Sequence, residues 1–358
     1  MQAAPYSQLR AMLAITKASL RATLRSPSSV LFSLGFPLVF ILVFGFIGGS
    51  KGVFLKIALA GKCDTANQVY QMVQQVPGIT IVKKDSAQLY DDLSKGRITA
   101  IIDIQRSEAT IPYSIKLITS EAVPPQDVQV LRSLLNAVNT PNVAVIEPEL
   151  RSIPGRKYRT IDFILPGQLG FSLLSAGIFG VAFLFFNLRQ QLVLKRFFAT
   201  PISRTYIVLG EGLSRVIFQL LTAVVIVSIG HFAFNFTLVH GWVTFLEIML
   251  LCFLALVIFM GFGFVVSGLA KTESTIPPFA NMITLPQFLL SGTFFSVESF
   301  PKWLQPFCNI LPLTHFNNAM RNIAFEGASL ISCWQNLLVL CIWGVLVYVA
   351  AIKIFKWE

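Results

Sequence analysis

The side chains that could do covalent or metal chemistry are few and scattered. The five cysteines, Cys63, Cys252, Cys308, Cys333 and Cys341, form no CxxC pair, and the three histidines, His231, His240 and His315, lie far apart. That pattern predicts no metal site. Cys308 and Cys333 could meet as a disulfide, a pairing that sequence spacing does not establish. Asp91 and Asp92 are adjacent, so on a helix they point in different directions, and a solvated face is expected rather than an acid–base pair. A loop that cradles nucleotide phosphates needs GxxxxGK[ST]. The nearest stretch, Gly61-Lys62-Cys63, lacks both the upstream glycine and the Ser or Thr. No catalytic residue and no bound cofactor are therefore expected in this chain.

A segment suited to contact rather than catalysis is more informative. It runs from Arg189 through Gln190, Gln191, Leu194, Lys195, Arg196, Phe197 and Phe198 to Thr200-Pro201 and Arg204, and is followed by Gly210-Glu211-Gly212. The residue before a proline is pushed away from helical geometry, which predicts a short helix broken at Thr200-Pro201. Basic groups and exposed aromatics share this segment. A solvated loop has no need of the aromatics, whereas a surface that docks another protein does. Anchoring on lipid by snorkelling cations is the alternative.

These residues must be held by elements made for lipid. The chain is 54% hydrophobic and 13% charged, with 32 Phe against 7 Tyr, and its mean hydropathy is +0.70. A soluble domain carries roughly a quarter charged residues. The net charge of +11 would suit nucleic acid, but the cations flank apolar stretches, where they anchor and orient spans. A span needs about 20 mainly apolar residues. Six stretches qualify: 28–49, 165–188, 207–234, 242–269, 277–295 and 333–355. The first is longer than a signal-peptide core and lacks a clear cleavage site, so it is read as a retained span.

Orientation follows from Lys and Arg in short flanks. Arg10, Lys17, Arg21 and Arg25 precede the first span; Arg189, Lys195, Arg196 and Arg204 follow the second; Lys353 and Lys356 close the chain. Both termini and loop 189–204 are expected in the cytoplasm, in a multi-pass protein of the cytoplasmic (inner) membrane. Residues 8–26 read as a helix with these cations on one side and Leu9, Met12, Leu13, Leu20 and Leu24 on another, so segment 1–27 is expected to lie in the membrane interface. Residues 50–162 are expected outside as a small α/β domain, with strands near 54–60, 79–82, 98–104 and 111–118 alternating with helices near 66–76, 86–95 and 126–138. Residues 163–358 hold the remaining spans.

Segment 297–314 is too rich in proline for a span and too apolar for a free loop. Irregular backbone at membrane depth survives only inside protein or beside a wet cavity, which predicts a re-entrant element on the outer side, with Trp303 at the interface. Ionisable residues within the spans are scarce. Glu211 and Arg215 stand one helical turn apart and are expected to pair; Glu247 lies near the end of its span. No ion relay crosses the membrane, which argues against gradient-driven transport. Spans so poor in charge suit contact with hydrophobic or amphipathic compounds, drug-like or lipid-like, rather than with ions or sugars.

On three motifs the chain resembles the ABC-2 family of ABC transporter permeases. In the first, Leu194, Arg196, Thr200, Pro201, Arg204 and Gly210 match the family's cytoplasmic loop, while Gln190 and Gln191 replace its acids and Gly210-Glu211 replaces its Gly-Lys. The second is Pro286-Gln287-Phe288-Leu289-Leu290-Ser291-Gly292, then Phe300-Pro301-Lys302-Trp303, then Leu311-Pro312, which resembles the family's fifth span and following hairpin. The third, Phe163-Ile164-Leu165-Pro166-Gly167, resembles its entry to span two. The resemblance implies a permease subunit of an exporter, with ATP and Mg bound by a separate ABC ATP-binding subunit. It assigns the coupling role to Arg189, Leu194, Lys195, Arg196, Phe197, Thr200, Pro201, Arg204 and Glu211, and the re-entrant hairpin to Ser291, Gly292, Phe300, Pro301, Trp303, Leu311 and Pro312. Expected partners are that subunit, a second permease copy or paralogue, membrane lipid, and a periplasmic or cell-surface partner for the outside domain, but no nucleic acid. Sugar-exporting members usually lack the outside domain. A membrane-anchored sensor or scaffold is the alternative function.

Overall fold

The computed structural model describes residues 7–47, 55–61, 63, 67–75, 79–82, 86–106, 113–123, 125–138, 144–146, 151–153, 159–190 and 202–354. Two compact units form: Met1–Gly49 with Thr160–Glu358, and Ser50–Arg159.

The first unit opens with α1 (Gln8–Leu24), started by Ser7, whose hydroxyl accepts from the N–H of Arg10. One face of α1 is buried at Thr16; Arg10, Lys17 and Arg21 are exposed, as are Leu9, Leu13 and Leu24. Next come α2 (Pro27–Val30), a π-helical turn at Leu31–Gly35, and α3 (Phe36–Ile47).

The second unit is a mixed sheet with helices on both faces. Strands β1 (Leu55–Leu59), β2 (Ile79–Val82), β3 (Ala100–Arg106), β4 (Tyr113–Ser120), β5 (Ala144–Ile146) and β6 (Arg151–Ile153) lie in the order β2-β1-β3-β4-β5, with β6 also paired to β4. The β3–β4 pair is antiparallel and the others parallel. Helices α4 (Gln68–Gln75), α5 (Ser86–Ser94) and α6 (Pro125–Val138) complete it. Strand alternation divides the core: Ile102 and Ile104 pack with Val73, Leu131 and Leu135, while Ile101 packs with Leu89 and Leu93 on the other face. Gly96 ends α5 at φ +69°, as its place after the helix predicts. The acidic neighbours differ from expectation: Asp91 pairs with Lys95 at 2.9 Å, but Asp92 is buried and pairs with Arg97 at 3.1 Å. Burial of the inward-facing member recruits the arginine; no acid–base pair forms.

The bundle resumes with α7 (Thr160–Gln190), α8 (Arg204–Phe234), α9 (Trp242–Leu269), α10 (Ile276–Leu290), α11 (Gln305–Ile310), α12 (Pro312–Arg321) and α13 (Trp334–Ile354). Among the described residues four helices are long and apolar enough to cross a membrane: Thr160–Gln190, Thr205–Phe234, Trp242–Leu269 and Ile331–Ile354. The proposed fifth span ends earlier than expected. Its 15-residue helix α10 covers roughly 22 Å, because Gly292 turns the chain at φ +73°. Segment 297–314 is also more regular than expected. Gln305–Ile310 and Pro312–Arg321 are helical, with Pro306 and Pro312 in the first turns, where a missing N–H leaves no gap in the ladder. Cys308 and Cys333, both buried, make no disulfide.

Helices α7 and α9 form the centre through small residues. A Cβ at Gly263 would stand 2.7 Å from the Gly177 carbonyl oxygen and 2.7 Å from Val181 Cβ; one at Gly177 would stand 2.9 Å from Phe259. Close backbone approach of this kind holds helices together where burying apolar surface gives no driving force.

Candidate functional site

Around α7 lies a cavity of about 880 Å³, bounded by α1, the π-helical turn, α3, α7, α8 and α9. Helical spacing builds it. Ser172, Ser175, Phe179, Phe183 and Asn187 recur every three or four residues along one face of α7, and Arg215, Phe218 and Gln219 share a face of α8. Phe36, Phe171, Phe179, Phe183 and Phe218 make an aromatic wall. The polar wall is partly tied together: Gln219 Nε2 donates to Ser172 Oγ at 3.1 Å, and Ser172 Oγ donates to the Ser33 carbonyl at 3.2 Å, in the π-helical turn. Turns of this type recur at functional sites. Arg215 Nε, Ser175 Oγ and Gln219 Oε1 are buried with no protein hydrogen-bond partner. Sequence reasoning missed this site, although the i, i+4 spacing of Arg215 and Gln219 in an apolar helix was its available signal.

The cavity runs from the middle of α7, at Phe171 and Ser172, toward the end of the bundle where the chain leaves α7 and enters α8, which it reaches at Asn187, Thr23 and Arg215. Leu194, Lys195, Arg196, Phe197, Thr200 and Pro201 lie outside the described residues. Arg204 begins α8, and its side chain is likewise outside them. Arg189 donates from Nη2 to the Ala270 carbonyl at 2.8 Å, at the C-terminus of α9, and lies 5.5 Å from the Phe186 ring centroid. Glu211 does not pair with Arg215 as expected. It accepts from Ser19 Oγ at 2.7 Å, while Arg215 turns toward Gly180 and the cavity. The reason is the packing of α1 on the start of α8. Thr16 Oγ1 donates to the Gly210 carbonyl at 3.0 Å, and the Ser203 N–H donates to Gln8 Oε1 at 3.0 Å. A Cβ at Gly210 would meet the Met12 carbonyl oxygen at 2.9 Å.

At a second place the structure joins two of the sequence motifs. Arg321 Nη2 donates to the Phe163 carbonyl at 3.0 Å and to the Gly292 carbonyl at 2.5 Å. Asn317 Nδ2 donates to the buried Ser291 carbonyl at 2.8 Å. A Cβ at Gly167 would stand 2.7 Å from Thr293 Cα. Of the hairpin residues, Ser291, Gly292 and Pro312 are buried, Phe300 and Leu311 half-buried, and Pro301 and Trp303 exposed. Arg321 and Asn317 escaped the sequence reading because they follow the proline-rich segment, on a helix it did not anticipate.

Apolar helices of spanning length arranged around an amphipathic cavity define a multi-pass membrane protein of the transporter class. Residues 27–353 match the model of the ABC-2 family transporter proteins, and the chain belongs to that family. It is 27% identical over 247 residues to ABC transporter G family member 20 of Dictyostelium discoideum, covering 68% of this chain and 33% of that protein. It is 29% identical over 162 residues to the probable multidrug ABC transporter permease YbhR of Escherichia coli, covering 45% of this chain and 42% of that protein. The chain thus spans less than half the length of either relative.

Proposed function

We propose that this chain is the permease half of an ATP-driven exporter, taking a hydrophobic or amphipathic compound from the cytoplasm or inner leaflet. ATP and Mg are bound by a separate ATP-binding subunit, and two permease copies or paralogues assemble. In this reading six segments cross the membrane, with 27–47 and 276–290 completing the four long spans, and both termini face the cytoplasm. Segment 191–201 docks the ATPase. The observation that carries the proposal is that the cavity reaches from the middle of α7 toward the bundle end where the chain leaves α7 and enters α8. Nucleotide-driven movement of the segment reaches the cavity wall directly through both helices. The multidrug role in the name of the Escherichia coli relative agrees with an amphipathic cavity.

The test is transport in inside-out vesicles holding the chain with its ATP-binding subunit. Replacing Arg196 and Phe197 together should leave ATP hydrolysis running while export falls at least about tenfold, or about 1.4 kcal/mol of coupling. Export at the normal rate by the double variant would remove the assigned role of the segment. Absence of ATP-dependent export by the unaltered pair would remove the permease reading.

A further inference from the structure

Resting on the permease reading, we propose that the cavity selects amphipaths carrying an anionic head group, with Arg215 receiving the head and the phenylalanine wall the apolar body.

Among the described residues that line the cavity, Arg215 is the one charged side chain. Two other arginines in the bundle each donate from Nη2 to backbone carbonyls, Arg189 to Ala270 and Arg321 to Phe163 and Gly292. Among the described residues none forms a hydrogen bond with Arg215, and its buried Nε has no partner there. The acid one turn earlier, Glu211, acts on it electrostatically but is held by Ser19. Glu211 offsets part of the cost of holding a half-buried cation beside an apolar wall, and a bound anion with direct hydrogen bonds offsets more of it. Guanidinium suits carboxylate, sulfonate and phosphate oxygens, which it binds through paired N–H groups. Beside it, Ser175 Oγ can donate to such an oxygen and Gln219 Oε1 can accept from a protonated head. A cationic amphipath would meet repulsion from Arg215 and no carboxylate among the described lining residues. The volume, about 880 Å³, suits a drug-sized or single-chain amphipath.

The experiment compares two probes with one body, dansyl-labelled undecanoic acid and its carboxamide, binding to the full chain in phosphatidylcholine nanodiscs. The acid is expected to bind at least about tenfold more tightly, equivalent to about 1.4 kcal/mol. Arg215→Gln should abolish that preference and Arg215→Lys should keep part of it. Equal affinities in the unaltered protein, or an undiminished preference in Arg215→Gln, would overturn the proposal. If Arg215→Gln elutes as aggregate, the acid–amide comparison in the unaltered protein and in Arg215→Lys decides. Adding phosphatidylglycerol separates two sources of the same chemistry: displacement of the acid assigns the site to a lipid head group, and no displacement assigns it to a free amphipath. The measurement uses neither nucleotide nor ATPase, so its failure leaves the permease reading standing, and a failure of export leaves the binding result standing.

Discussion

The guanidinium carbon of Arg321 lies 3.9 Å from the ring centroid of Phe163, and the same side chain donates to the Phe163 carbonyl at 3.0 Å. Ring and carbonyl of one residue thus receive one cation from two directions. Because Arg321 also donates to Gly292, a single side chain on α12 holds the start of α7 and the end of α10. Phe163 opens one of the motifs that carry the family resemblance and Gly292 lies in another.

Removing that cation should loosen three elements at once. Hydrogen bonds to charged groups contribute about 1.5–3 kcal/mol each, and unsatisfied buried carbonyls add cost. Arg321→Met is expected to destabilise the bundle by about 3 kcal/mol, read as a lower thermal unfolding midpoint in detergent. Arg321→Lys should fall between, since a point charge cannot serve two carbonyls and a ring face equally. An unchanged midpoint in Arg321→Met would show that the contact holds nothing.

The seam between α7 and α9 predicts a contrast between two glycines. Gly263→Val would press side-chain carbons into the Gly177 and Ile178 carbonyl oxygens, 2.7 and 2.8 Å from the Cβ position. Backbone cannot yield cheaply there, so a loss of at least about 3 kcal/mol is expected, beyond ordinary overpacking. At Gly180 the nearest atom to an added Cβ is Arg215 Nη1 at 3.8 Å, and Gly180→Ala should fold like the unaltered protein. Yields of monodisperse protein on size exclusion measure both.

Much of this architecture was legible because lipid simplifies the code. Span 242–269 was read from hydropathy to the residue, and strands β1 to β4 from short apolar runs, whereas the three-residue strands β5 and β6 were missed because so short a run carries no pattern. The cavity was not legible, because its polar residues sit singly among apolar ones and only the meeting of α7 and α8 gathers Ser172, Ser175, Arg215 and Gln219. The pairing of Glu211 with Arg215 failed for a related reason. Local spacing made them neighbours, but Ser19, 192 positions away in sequence, supplied the closer partner. The length of α10 failed because a composition window does not see a turn at a single glycine.

The clamp of α1 on α8 yields a third prediction. Gly210→Leu places a side chain against the Met12 carbonyl oxygen, 2.9 Å from the Cβ position, and against Ile15 Cγ2 at 3.2 Å. Helix α1 must then lift, losing the Thr16–Gly210 and Ser19–Glu211 hydrogen bonds. A destabilisation of about 1–3 kcal/mol is expected, with faster amide hydrogen exchange along 8–24. Gly212→Ala is the control, because its nearest neighbour is the flexible Met260 Cε at 3.4 Å. Equal exchange in the two variants would mean that the close approach at Gly210 is not what seats α1.

The sheet unit has a core of its own, so residues 50–159 expressed alone should fold. Ile57, Ile102, Ile104 and Leu131 are fully buried on one side of the sheet, and Ala58 and Leu93 on the other. Leu93→Ala deletes a side chain packed against Ala58, Ile101 and Val123 and should cost about 2–5 kcal/mol. Asp92→Asn weakens the contact of a buried carboxylate with the partly exposed Arg97, whereas Asp91→Asn touches only an exposed i, i+4 pair with Lys95 worth about 0.3–0.5 kcal/mol. Urea unfolding followed by circular dichroism should therefore rank the losses Leu93→Ala, then Asp92→Asn, then Asp91→Asn. If the isolated segment showed no cooperative transition, its hydrophobic clusters would require the rest of the chain to form. If Asp91→Asn cost as much as Asp92→Asn, burial would not be what separates the two carboxylates.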